Sequence, residues 1–219
     1  MRNLDAVVVS SAYNVYYLSG FKGAAHKADE PRPYAVILSR HQPDHSILVV
    51  ADYYVGSLIT QPIWIKDIRA FRAVILPLDL PAWDDDLERF LPSDINNLPW
   101  EGNLLAHYGK NVVQSCREAL TDLGLGAGRI AFDDLRFGHQ LGMEGIEVAD
   151  GYDPMMYARC VKTTAEIKLL KRAISVNELA ICQTIKTWAP GMMWQGFNHK
   201  YNKAVISLGG FFRDPGAMV

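Results

Sequence analysis

Four short apolar runs, each bounded by turn-forming residues, constrain the first half of this chain more than any other feature. Leu4–Val9 reads LDAVVV, Tyr34–Leu38 YAVIL, Ile47–Ala51 ILVVA and Ala73–Leu76 AVIL. They are rich in β-branched residues and lack the polar alternation of a half-exposed strand, so they predict strands covered on both faces. His41-Gln-Pro-Asp-His45 has the chemistry of a tight reversal and predicts a hairpin between the second and third runs. Val112–Leu123 repeats at helical spacing and predicts a helix, followed by a strand at Arg129–Asp133. Strands, a helix and a returning strand imply an α/β fold, a mixed sheet flanked by helices, with a parallel crossover through that helix. The polar stretch 81–101 reads as an irregular connection with one helical turn near Asp84–Phe90.

The second half opens on a capped helix. Thr163-x-x-Glu166 is a capping box: the Thr hydroxyl accepts from the Glu N–H, and the Glu carboxylate accepts from the Thr N–H. Ile167, Leu170, Ile174 and Ile181 follow at helical spacing, with Lys168, Lys171, Arg172 and Glu178 on other faces. The pattern predicts an amphipathic helix over 164–188, stopped by Pro190-Gly191. Gly151–Tyr157 is the expected domain boundary, because Asp153-Pro154 should not continue a helix. The tail's apolar side chains need a cover, whether the first domain, a second copy or further chain, since each left exposed forgoes roughly 1.5–3 kcal/mol.

Composition excludes several classes. Hydrophobic residues are 49%, charged residues 21% and the net charge −2, which gives no basic footprint for nucleic acid or anionic lipid. The apolar runs are too short to span a bilayer, and no signal-peptide pattern opens the chain, so a cytoplasmic location is expected. Cys116, Cys160 and Cys182 have no metal-binding or redox spacing. Gly124-x-Gly126-x-Gly128 follows a helix and precedes a strand, the reverse of a phosphate-binding loop, and reads as a helix C-cap. That argues against a nucleotide-binding α/β protein. Asp44 with His41 and His45 reads as a solvated turn, Asp133-Asp134 and Asp84–Asp86 as turn and helix-start residues, and Asp214-Pro215-Gly216 as a turn.

Two segments carry a family resemblance. Asn14–Phe21, NVYYLSGF, is similar to the "N-(I/V)-x-Y-(L/Y)-(S/T)-G-(F/W)" segment of creatinase-type N-terminal domains, and Arg32-Pro-Tyr34 begins a strand in the same way. Ala158–Ile181 resembles the "R-x-(I/V)-K-(S/T)-x-x-E-I" signature that opens the pita-bread catalytic domain of creatinase and the Xaa-Pro peptidases. The helix that usually precedes the first strand is absent, and Met192-Met193-Trp194 replaces the usual caps of the second catalytic helix.

The resemblance implies a creatinase-type N-terminal domain over 1–156 and the first helices of an incomplete pita-bread α+β domain over 157–219. It implies metal-dependent hydrolysis of a C–N bond, in an Xaa-Pro peptide or a small carboxylate-bearing molecule such as creatine. The two divalent ions of the family (Mn, Zn or Co) would bind downstream, so none is expected in this chain. The chain would select substrate, form a homodimer and be inactive alone. Arg32 would hold a substrate carboxylate, for which a guanidinium fork is suited, with Phe21, His26 and Tyr34 at the pocket edge. The other reading is a non-catalytic protein-interaction module on the same fold.

Overall fold

The computed structural model describes residues 3–23, 33–61, 63–73 and 98–210. The chain divides into two compact units, 1–158 and 159–219.

The first unit holds six strands in one mixed sheet: β1 (Ala6–Val9), β2 (Tyr34–Ser39), β3 (Ile47–Ala51), β4 (Asp67–Phe71), β5 (Gly128–Phe132) and β6 (Ile146–Asp150). Their order is β4-β3-β2-β1-β5-β6. The β1–β2 and β2–β3 pairs are antiparallel, and β3–β4, β1–β5 and β5–β6 are parallel. The expected hairpin is present, with Ile37 opposite Ile47 across the turn. Every residue of β3 is buried, as is all of β2 except Leu38. Continuous apolar runs are what a sheet covered on both faces requires.

Helices α1 (Ala12–Ser19), α2 (Val55–Ile59), α3 (Glu101–Ala106), α4 (Val112–Asp122), α5 (Leu135–Leu141) and α6 (Tyr152–Cys160) flank it. The glycine cluster ends α4 as expected. Gly124 turns left-handed at φ +70°, its N–H bonds Thr121 O, and the Leu125 N–H reaches Leu120 O. Those paired bonds are a Schellman stop. Cys116, on the inner face of α4, is fully buried, which pushes its thiol up to about 12.

Several elements differ from the sequence reading. The fourth strand is Asp67–Phe71 rather than Ala73–Leu76; Ala73 follows it, and residues 74–76 lie outside the described residues, as does the turn near Asp84–Phe90. Pro154 does not break a helix. It sits in the first turn of α6, where its missing N–H has no helical partner to lose, and Met155 N–H bonds Gly151 O behind it. Helices α1, α2, α3, α5 and α6 and strand β6 are additions.

In the second unit, α7 (Thr164–Ile185) and α8 (Trp194–Ser207) pack through Ala180, Ala204 and Val205, with Val176, Tyr201 and Leu208 around them. The capping box forms in both directions: Thr163 N–H to Glu166 Oε2 at 2.7 Å and Glu166 N–H to Thr163 Oγ1 at 3.2 Å. α7 ends at Ile185, short of Pro190. Ile167, Leu170, Ile174 and Ile181 are between 41% and 56% exposed, so α8 covers little of the apolar stripe.

Candidate functional site

The NVYYLSGF segment forms α1 and the exit from it, and most of its side chains have an identifiable structural task. Asp133, one residue beyond β5, accepts from Ser10 N–H at 2.8 Å, Ser10 Oγ at 3.3 Å, Ser11 N–H at 3.1 Å, Ser11 Oγ at 2.7 Å and Asn14 Nδ2 at 2.9 Å. One carboxylate thus satisfies orphan donors at the start of α1 from 120 residues away in sequence. Val15 is buried, and the Tyr17 hydroxyl donates to Ala158 O at 3.3 Å. Gly20 closes the helix at φ +78°, a conformation that costs glycine least. Ser19 Oγ donates to Val15 O and accepts from Phe21 N–H at 3.0 Å, which sets the exit.

Beyond the exit the backbone is clamped. Lys22 N–H donates to Gln61 Oε1 at 2.8 Å, and Gln61 Nε2 returns to Lys22 O at 3.2 Å. Trp64 Nε1 donates to Leu18 O at 2.7 Å. On the far side of residues 24–32, Pro33 O accepts from Ala51 N–H at 2.8 Å. Lys22 and Pro33 are thus each held by hydrogen bonds to the backbone.

Between those points lies a buried aromatic cluster. Phe21 meets Tyr34 and Tyr54 edge-on at 6.0 and 5.6 Å, and Tyr34 lies 5.8 Å from Tyr54. Such pairs add about 0.5–1.5 kcal/mol beyond area burial. A Cβ at Gly23 would stand 2.6 Å from the Tyr34 ring, so only glycine lets the chain pass there.

The four expected site residues divide accordingly. Phe21 and Tyr34 come together, but at 1% and 2% exposure they are core residues rather than an open pocket wall. His26 and Arg32 lie outside the described residues. Asp133, Gln61 and Trp64 were not expected; nothing in an Asp after a strand signals five donors from the other end of the chain.

A second charged cluster lies elsewhere. Arg69 on β4 grips Asp67 with two nitrogens, Nε at 3.1 Å and Nη2 at 3.0 Å, and its Nη1 donates to Asp122 at 2.5 Å. His45 Nε2 lies 3.0 Å from Asp67 Oδ2. Burial alone would raise the Asp67 pKa, but the Arg69 fork and His45 hold it below the usual carboxylate value.

The two ions implied by the resemblance find no ligand set here. No group of three His, Cys, Asp or Glu side chains is placed to hold a metal among the described residues. His41 and His45 diverge to separate carboxylates, Asp5 and Asp67.

No curated protein sequence matches the chain significantly. Solved structures do. An X-Pro aminopeptidase from Thermotoga maritima matches with a TM-score of 0.59 and 16% identity over 94% of this chain and 47% of its own. A dipeptidase from Pyrococcus horikoshii gives 0.57 and 18% over 94% and 47%, and a prolidase from Thermococcus sibiricus 0.60 and 13% over 95% and 47%. At that identity they establish the shared fold, and the chain spans about half their length. The model of the creatinase/prolidase N-terminal domain matches residues 1–140, which takes in the whole of β1–β5 and α1. By that match, over well above half of its length, the chain belongs to the creatinase/prolidase N-terminal domain family.

Proposed function

We propose that this chain is the substrate-selecting and dimerising portion of a metal-dependent C–N hydrolase, of Xaa-Pro peptidase or creatinase type. It is inactive alone, with residues 1–156 as the N-terminal domain and 157–219 as the start of a pita-bread domain. The family match over residues 1–140 carries the reading. Support comes also from the solved structures, which are Xaa-Pro aminopeptidases and prolidases about twice the chain's length. Metal ligands (for Mn, Zn or Co) and the hydrolytic water belong outside the described residues, and the expected setting is the cytoplasm.

Within that reading Arg32, and with it His26, supplies the contact to substrate. The described residues on either side are held by Lys22–Gln61 and Pro33–Ala51 hydrogen bonds, and Phe21 packs on Tyr34 between them. Arg32→Ala in the native enzyme should lower kcat/KM for a carboxylate-bearing substrate by about 10- to 150-fold, the equivalent of about 1.5–3 kcal/mol for a hydrogen bond to a charged group. Unchanged kcat and KM would remove Arg32 from the site.

The other reading, a non-catalytic interaction module, draws on one observation: the family motif in α1 is occupied by structural tasks. Metal-dependent, chelator-sensitive hydrolysis of a proline dipeptide by the native protein would exclude it.

A further inference from the structure

His45 lies in the turn between β2 and β3, and both of its ring nitrogens face acceptors. Nε2 is 3.0 Å from Asp67 Oδ2, and Nδ1 is 3.3 Å from Gln42 Oε1. The Gln42 amide cannot simply be turned over. Its Nε2 donates to Leu123 O at 3.3 Å, and a carbonyl oxygen only accepts, so the amide oxygen must face His45. Asp67, gripped by Arg69 as a carboxylate, is likewise an acceptor.

A neutral imidazole has one N–H and one lone pair, whereas an imidazolium donates from both nitrogens. Only the charged ring can donate to both neighbours at once. The contacts also close a ring through the fold. His45 leads through Gln42 to Leu123 at the end of α4, and through Asp67 and Arg69 to Asp122 on the last turn of the same helix.

We infer that His45 is a proton-sensitive latch: charged, it ties the β2–β3 turn, the edge strand β4 and the end of α4 into one ring, and neutral, it releases one side. The titratable groups around it are Asp67 and Arg69 on β4, Asp122 on α4, and Asp44 and His41 in its own turn, the last held by Asp5. Histidine is the side chain whose charge changes between pH 5 and 8. Asp67, its pKa held below the usual carboxylate value, stays an acceptor, so loss of the ring proton opens the latch.

Amide hydrogen exchange of the 219-residue chain reads this directly, with β4 protection taken relative to the interior strand β5. In wild type the ratio should fall about tenfold from pH 5.5 to pH 8, the loss of one hydrogen bond to a charged group. His45→Gln removes the titrating group, and Gln42→Met removes the second acceptor from an exposed turn without touching Asp67. Both should flatten the dependence. A constant ratio in wild type, or an equal fall in both variants, overturns the latch.

Discussion

Arg69 sits on an edge strand with 3% of its side chain exposed, and Asp67 beside it with 7%. A charge so placed is tolerated only when paired and fully hydrogen-bonded. Arg69 achieves this by gripping Asp67 twice and Asp122 once. Asp67→Asn would leave Arg69 paired with Asp122 but take away its buried charged partner on β4, so it should cost about 1–3 kcal/mol in urea unfolding. The pH dependence has a definite sign. The folded pKa of Asp67 lies below its ordinary 3.8, so its contribution is present above that value and is lost as pH falls through the folded pKa. Wild type should lose stability on acidification below about pH 4, and Asp67→Asn should lose less of it.

The same pair explains which elements could be read from sequence. β2 and β3 were legible because their apolar runs are unbroken, and α7 because its capping box is a local pattern. The α4 stop was equally local. β4 was not, since Asp67 and Arg69 look like surface residues until their partners His45 and Asp122 are brought near by the fold. β6 was missed because it is a half-exposed edge strand with Glu147 and Asp150 outward, its Glu147 paired across the sheet with Arg129 at 2.9 Å. Helix α6 was missed because a proline reads as a breaker without knowledge of its position in the turn. In the site, the fold brought Phe21 to Tyr34, while the Asp133 network rests on contacts no local pattern encodes.

Two helical glycines give an element-scale test. A Cβ at Gly138 in α5 would lie 2.7 Å from the Phe132 ring and 2.8 Å from Val148, so Gly138→Ala should destabilise by about 1–3 kcal/mol through overpacking. A Cβ at Gly56 in α2 meets nothing within 4 Å, and Gly56→Ala should stabilise by about 0.5–1 kcal/mol. Urea midpoints of the two variants should move in opposite directions; movement in the same direction would contradict the packing described for α5.

At the scale of the whole molecule, α7 carries an exposed apolar stripe among the described residues. Ile167, Leu170, Ile174 and Ile181 on α7, with Trp188 at 62% and Trp194 at 46%, remain largely in solvent. Monomeric proteins seldom leave so much apolar surface open without a partner for it. The isolated chain should therefore dimerise or bind a hydrophobic dye, measured by light scattering and dye fluorescence; a monomer that binds no dye would contradict the exposed stripe.

A substrate-selecting part of a hydrolase implies a larger native protein, with further chain to cover that stripe and carry the metal ligands. The most direct test is the intact mass of the protein isolated from its native source. The account predicts a mass well above the 24.5 kDa of this chain. A native mass of 24.5 kDa would contradict it and favour the interaction module.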